Sequence, residues 1–149
     1  MTGSIPAHRG RDGNAHAEKP DWSHTSTLEA TPISASQARA FVTHHLVDHR
    51  LLYLVDPVRV VASELATNAL VHAQTTFSVT LSASDTRVLL TVRDHSPALP
   101  ERRAPHALDE TGRGLEIVDM VSLEWGFSED GTGSKAVWAS FAIRERRER

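Results

Sequence analysis

The amino-acid sequence predicts an α+β fold, a two-layer α/β sandwich in which helices cover one face of a mixed, mostly antiparallel sheet. The predicted order of elements is strand, helix, helix, two strands, loop, helix and two strands. Four of the five strands form two hairpins, and hairpins beside helices indicate a sheet with one covered face. A chain of 149 residues is long enough to bury one core of this kind.

The chain ends and the composition narrow the class of protein. Residues 1–24 are rich in Gly, Pro, Ala, His and charge, which predicts a disordered tail. Residues 144–149 predict a charged tail, so the folded domain is expected at residues 25–143.

The chain has no cysteine, which excludes disulfides and cysteine zinc sites. It has neither an apolar run of the roughly 18–20 residues that span a bilayer nor a signal-peptide core. The net charge of -3 gives no basic signature for nucleic acid. We expect a cytoplasmic protein without direct contact to membrane or nucleic acid.

Local signals place the elements in order. Residues 25–30 predict a short edge strand, and Ser34 with Gln37 three residues later forms a capping box that opens a helix. Asp56 as N-cap and Pro57 at the first helical position open a second helix. Alternation and turn residues then predict a hairpin of residues 77–82 and 87–94, a long loop over 95–111, a helix opening at 112–114, and a final hairpin of 124–128 and 135–143.

The second helix carries two polar residues in an apolar stretch, VASELATNALVHA. Glu64 and Asn68 are four residues apart and therefore project from the same helix face, one turn from each other. Buried polar groups without partners cost about 1–3 kcal/mol each, so the pair would need a partner such as a hydrated metal ion. The alternative is that both side chains lie on the solvated face of an ordinary helix.

Two further features point to a nucleotide. Asp94 ends an apolar strand, where a carboxylate can accept a hydrogen bond from the exocyclic amine of adenine. Gly112 and Gly114 open a helix, and a glycine-containing helix start exposes N–H groups that bind phosphates. Asn68 can give an oxygen to Mg²⁺. The alternatives are that Asp94 only forms a turn and that the two glycines only give a loop flexibility.

These segments resemble a known family. ELATNALVHA looks like the N box of the Bergerat-fold ATPases, the superfamily of histidine kinases and gyrase, and TGRGLEIVDM resembles the second glycine box of that superfamily. With the later WGF and GSKAVW segments, the order is most similar to the small anti-sigma-factor serine/threonine kinases of bacterial stress and sporulation switches. The resemblance covers about residues 25–143.

The resemblance implies a Bergerat ATP-binding fold, ATP and Mg²⁺ as cofactors, and protein serine/threonine kinase activity. In that family Glu64 would be the general base, Asn68 the Mg²⁺ ligand, and Asp94 the acceptor for the adenine amine. Further implied nucleotide contacts are His72, Gly112, Arg113, Gly114, Leu115 and Lys135. Alternatives stay open for two of them, since His72 could simply end its helix and Lys135 could be structural.

The resemblance also implies protein partners and transcription regulation: a sigma factor, a STAS-type anti-sigma-factor antagonist as substrate, and a homodimer. One motif departs from the family. The first glycine box usually reads Asp-x-Gly-x-Gly, but here Asp94 is followed by His95, Ser96, Pro97 and Ala98. This departure motivates an alternative function, a catalytically weak or inactive binding module that sequesters a sigma factor or an antagonist.

Three other functions have weaker support. His44, His45 and His49 lie on one predicted helix, but a histidine-kinase fragment would need a second helix to form a dimerisation hairpin. His45 and His49 have the spacing of zinc ligands but lack a third ligand. The arginine-rich C-terminal tail could touch nucleic acid, yet two glutamates offset its four arginines.

Overall fold

The computed structural model of the protein describes residues 19–72, 76–94, 112–129 and 134–144. The elements follow the predicted order. They are β1 (Trp22–Glu29), α1 (Ser34–Asp48), a 3₁₀ turn (Leu52–Leu54), α2 (Val55–His72), β2 (Thr76–Ala83), β3 (Arg87–Asp94), α3 (Gly112–Val121), β4 (Glu124–Glu129) and β5 (Lys135–Ala142).

The five strands form one sheet in the order β1-β2-β3-β5-β4. Every pairing among these strands is antiparallel, so the mostly antiparallel sheet expected from the sequence is antiparallel throughout. Both predicted hairpins are present, β2 with β3 and β4 with β5. The α+β sandwich is therefore confirmed.

The core lies between α1, α2, α3 and one face of the sheet. A single cross-strand row shows this, since Leu81, Leu90, Ala139 and Trp125 face one another on adjacent strands and all four are buried. The apolar side of α2 packs on this face through Val58, Val61, Ala62, Leu65, Ala66 and Ala69. No helix in the described residues has the length and apolarity needed to cross a membrane.

The predicted capping box at Ser34 is wrong. Ser34 is the first residue of α1, Ile33 is the N-cap, and the helix start has no side-chain cap hydrogen bond. The backbone N–H of Gln37, which a capping serine would bind, donates instead to the Ile33 carbonyl at 3.0 Å. Ser34 is buried, and its hydroxyl has no hydrogen-bond partner among the described residues.

The predicted N-cap at Asp56 is also displaced. The chain enters α2 directly from the 3₁₀ turn Leu52–Leu54, and Val55 already has helical dihedral angles. Asp56 therefore lies within the first turn of α2, where a carboxylate still interacts favourably with the helix dipole.

Residues 1–18 and 145–149, most of the two predicted tails, lie outside the described residues. β1 begins at Trp22, three residues before the predicted strand, because Trp22 pairs with Ala83 and its indole stacks on His49. Arg144 is tied to the domain. Its backbone N–H donates to the Tyr53 hydroxyl at 2.8 Å, and its guanidinium lies 4.6 Å from the centre of the Tyr53 ring.

Helix α1 ends in a Schellman motif with an unusual residue. The N–H of Leu51 donates to Leu46 O at 2.8 Å, and the N–H of Arg50 donates to Val47 O at 3.0 Å. Arg50 has φ 62°, the left-handed conformation that glycine normally occupies at this position. A residue with a Cβ pays a steric cost there.

We therefore expect Arg50→Gly to raise the free energy of unfolding by about 0.5–1 kcal/mol. Urea denaturation of both proteins measures the change. Arg50→Ala is the control, because it removes the charged side chain but keeps the Cβ. A gain of equal size in Arg50→Ala would show that the backbone conformation is not the cause.

Candidate functional site

The packing of α2 against the core determines how far Glu64 and Asn68 are exposed to solvent. Leu65 is 1% exposed and faces the core, while Asn68 is 8% exposed and Glu64 is half-buried. The alternative that both polar side chains lie on a solvated face is therefore wrong for Asn68. The carboxamide is held inside the fold, and the carboxylate one turn earlier still reaches solvent.

Glu64 lines a cleft of about 330 Å³ between α1 and α2. The other lining residues are Arg39, Asp56, Arg59, Val60 and Ser63. Arg39 bridges the two helices, since its Nη1 donates a hydrogen bond to the Ser63 hydroxyl at 3.0 Å. The cleft therefore places two arginines and two carboxylates around one opening. The spacing of residues within one helix could not predict this cleft, because Arg39 lies on a different helix from Glu64.

Asp94 is the last residue of β3 and is half-buried. Its neighbours across the sheet are Phe77 on β2 and Lys135 on β5. Directly opposed side chains on adjacent strands lie close together, about 4.5–5.5 Å between their Cβ atoms. The structure thus brings Asp94 and Lys135, two predicted site residues, to the same end of the sheet.

A short hydrogen-bond chain fixes the backbone at this end of β3. Arg93 donates from Nη1 to the Ser134 hydroxyl at 3.3 Å, and that hydroxyl donates to the Asp94 carbonyl at 3.3 Å. Ser134 was not among the predicted site residues. Its only sequence signal was its position immediately before Lys135.

One large apolar side chain at this end of the sheet is exposed. Phe127 on β4 pairs with Val137 on β5, one row along the same face from Asp94 and Lys135. Phe127 is 49% exposed and Val137 is partly buried. An exposed aromatic ring therefore lies on the same sheet face as the Asp94 carboxylate.

The remaining predicted residues begin or end helices. His72 is the last residue of α2, and α3 begins at Gly112 as predicted, followed by Arg113, Gly114 and Leu115. The side chains at these positions lie outside the described residues, as does the predicted loop over 95–111. Helix α2 packs against α3, β3 and β5, so it contacts every other element that carries a predicted site residue.

The oxygen donors of the site suit Mg²⁺ better than zinc. Within the described residues no group of three or more histidine or acidic side chains is arranged to hold a metal ion. Mg²⁺ needs only one or two protein oxygens besides phosphates and waters, and the Asn68 carboxamide could supply one such oxygen.

The antiparallel sheet under helices is the fold expected for the Bergerat ATPases. A model of the histidine kinase-like ATPase domain family matches residues 28–141, most of the chain. The protein belongs to this family, and the family assignment implies ATP binding. A search of curated proteins gave no match.

Proposed function

We propose that the protein is a cytoplasmic anti-sigma factor with Mg²⁺-dependent serine/threonine protein kinase activity toward a STAS-type anti-sigma-factor antagonist. In this proposal the γ-phosphoryl group of ATP passes to a serine or threonine hydroxyl of the antagonist, and a homodimer is the expected assembly. The proposal rests on the N box, the second glycine box and the family assignment.

One observation carries the catalytic part of the proposal. Glu64 lines an open cleft, whereas Asn68, one turn further along α2, is buried. A general base must be accessible to the hydroxyl of another protein, and a metal-holding amide is best shielded from bulk water. The two positions therefore suit the two different roles.

The reaction balances with these residues. Glu64 takes the proton of the attacking hydroxyl while the new O–P bond forms and the bond to the leaving ADP oxygen breaks. Asn68 would hold Mg²⁺, which when bound neutralises phosphate charge. Asp94 accepts a hydrogen bond from the adenine amine, and Phe127 offers an apolar surface on the same sheet face. Phosphoryl transfer depends mainly on positioning and electrostatics, so a small set of residues is sufficient.

A second candidate function is a binding module that sequesters a sigma factor or antagonist without transferring phosphate. The residues after Asp94 favour it, because His95, Ser96, Pro97 and Ala98 replace a box that normally carries two glycines. Pro97 restricts the backbone where those glycines would let it approach the base.

Phosphate transfer distinguishes the two functions. The full chain is incubated with Mg²⁺, γ-labelled ATP and a purified STAS-type antagonist. The kinase proposal expects label on one serine or threonine of the antagonist, identified by mass spectrometry. Stable complex formation with no label above an enzyme-free control would support the binding module instead.

A further inference from the structure

A group of stacked rings joins the beginning of β1 to the end of α1. We call it the histidine cluster and define it as Trp22 and His24 of β1, His44 and His45 of α1, and His49, the C-cap of α1. The Trp22 indole stacks on His49 with ring centres 3.8 Å apart, and His24 stacks on His45 at 3.9 Å. His24 Nε2 also lies 3.0 Å from His49 Nε2.

The hydrogen bond between His24 and His49 depends on protonation. One Nε2 must donate and the other must accept, so at least one of the two imidazoles is neutral. If both rings are protonated, two N–H groups point at each other across 3.0 Å and two positive charges repel. Protonation of both rings would therefore break one of the contacts that join β1 to the end of α1.

His45 makes the cluster more sensitive to acid. Burial lowers the pKa of His45 below its usual 6.5, and the neighbouring His24, His44 and His49 lower it further, while Asp48 acts in the opposite direction. The buried Nδ1 of His45 has no hydrogen-bond partner among the described residues. A second proton in this cluster is therefore poorly stabilised.

The charges around the cluster do not compensate for added protons. The charged or titratable groups that act on His45 are His24 of β1, His44 and Asp48 of α1, and His49 immediately after α1. Arg50 adds a further positive charge immediately after His49. Across the sheet His24 faces the buried Leu81 of β2, which brings no charge. Only the Asp48 carboxylate among these groups opposes the accumulation of positive charge.

We propose that the histidine cluster is an acid-sensitive latch, which releases the first half of β1 from α1 as the pH falls and the cluster takes up protons. A histidine whose pKa is lowered by folding contributes stability that is present above the unfolded value of 6.5 and is lost as the pH falls. As the pH falls below this value, proton uptake therefore favours the unfolded chain and the locally open state over the closed fold.

The latch lies away from the nucleotide site. Trp22 pairs with Ala83, the last residue of β2, whereas Asp94 pairs with Phe77, the second residue of β2. The two sites therefore lie at opposite ends of β2. β1 is also an edge strand, held by β2 alone within the sheet. Its first half can therefore open while the rest of the sheet stays paired, and the proposal is independent of kinase activity.

Hydrogen exchange at about pH 7.5 and about pH 5.0 tests the latch, with rates corrected for the intrinsic pH dependence of amide exchange. We expect protection of the backbone amides at residues 22–26 to fall about tenfold per pH unit for each proton taken up. Amides of β3 and β5 should keep their protection. Equal protection of residues 22–26 at both pH values, or an equal loss throughout the sheet, would overturn the proposal.

Three variants identify the responsible groups. His24→Phe keeps a ring in the stack but cannot be protonated, so the pH dependence at residues 22–26 should lose the part that comes from repulsion between His24 and His49. His49→Gln is a second variant that removes the same charge repulsion from the helix side. His44→Gln is the comparison variant, because it removes one positive neighbour of His45 but leaves the His24–His49 hydrogen bond intact, so most of the pH dependence should remain. If His24→Phe and His49→Gln both retain the wild-type pH dependence, the latch is ruled out.

Discussion

Glu64→Gln is expected to lower phosphate transfer to the antagonist by about 10²–10⁴-fold, the usual contribution of a general base. The carboxamide keeps the size of the side chain but cannot take the proton of the attacking hydroxyl. Single-turnover transfer from γ-labelled ATP measures the effect. Affinity for Mg²⁺-ATP should remain close to wild type, because the adenine and metal contacts are assigned to other residues.

The cleft offers a matched control for this variant. Asp56 is another carboxylate that lines the same opening, but it lies in the first turn of α2 and not beside Asn68. Asp56→Asn should transfer phosphate within a few-fold of wild type. Equal activity of Glu64→Gln and wild type would remove Glu64 from the chemistry, and equal losses in both variants would point to a general effect on the cleft.

Leu65→Ala is expected to lower the free energy of unfolding by about 2–5 kcal/mol. Leu65 is 1% exposed at the centre of the α2 contact with the sheet. Its truncation removes buried apolar surface and leaves a cavity in the layer that fixes the rotation of α2. Chemical denaturation gives the loss, and a lower affinity for Mg²⁺-ATP should accompany it because Glu64 and Asn68 flank Leu65.

Leu52→Ala is the matched control, since Leu52 is the same residue type but is 65% exposed in the 3₁₀ turn. Its effect on the free energy of unfolding should stay within about 0.5 kcal/mol. Similar losses from the two substitutions would mean that the α2 interface does not dominate stability.

Periodicity and turn residues were sufficient to predict the order of elements. The two hairpins and the helix that begins at Gly112 follow from alternation and glycine placement, both of which are local properties of the chain. The strand order could not be predicted from them. β5 lies between β3 and β4, and nothing within either hairpin specifies which strand the other hairpin will join.

Two predicted element starts differ from the structure, for different reasons. Ser34 and Gln37 have the spacing of a capping box, but the local helical hydrogen bond from the Gln37 N–H goes to the Ile33 carbonyl, so the helix starts one residue earlier. The sequence around Trp22 indicates a polar tail. In the structure the Trp22 indole stacks on the ring of His49, which is distant in sequence. The stacking of Trp22 on His49 leaves no pattern in the sequence near Trp22.

Part of the candidate site could likewise be predicted from local spacing, and part could not. Spacing alone aligned Glu64 with Asn68, and the burial of Asn68 then excluded a fully solvated face. The opposition of Asp94 and Lys135 depends on strand register, and the cleft around Glu64 depends on Arg39 reaching across from α1. Such long-range contacts require the folded chain.

Calorimetric titration of the full chain with ATP, with and without Mg²⁺, tests the central claim most directly. We expect saturable binding that is tighter with Mg²⁺, and an affinity lowered by about 10–100-fold in Asp94→Ala, which removes a hydrogen bond to a charged acceptor worth about 1.5–3 kcal/mol. Absence of saturable Mg²⁺-ATP binding to the folded wild-type chain would contradict the assignment of α2 and the β3 end to a nucleotide site.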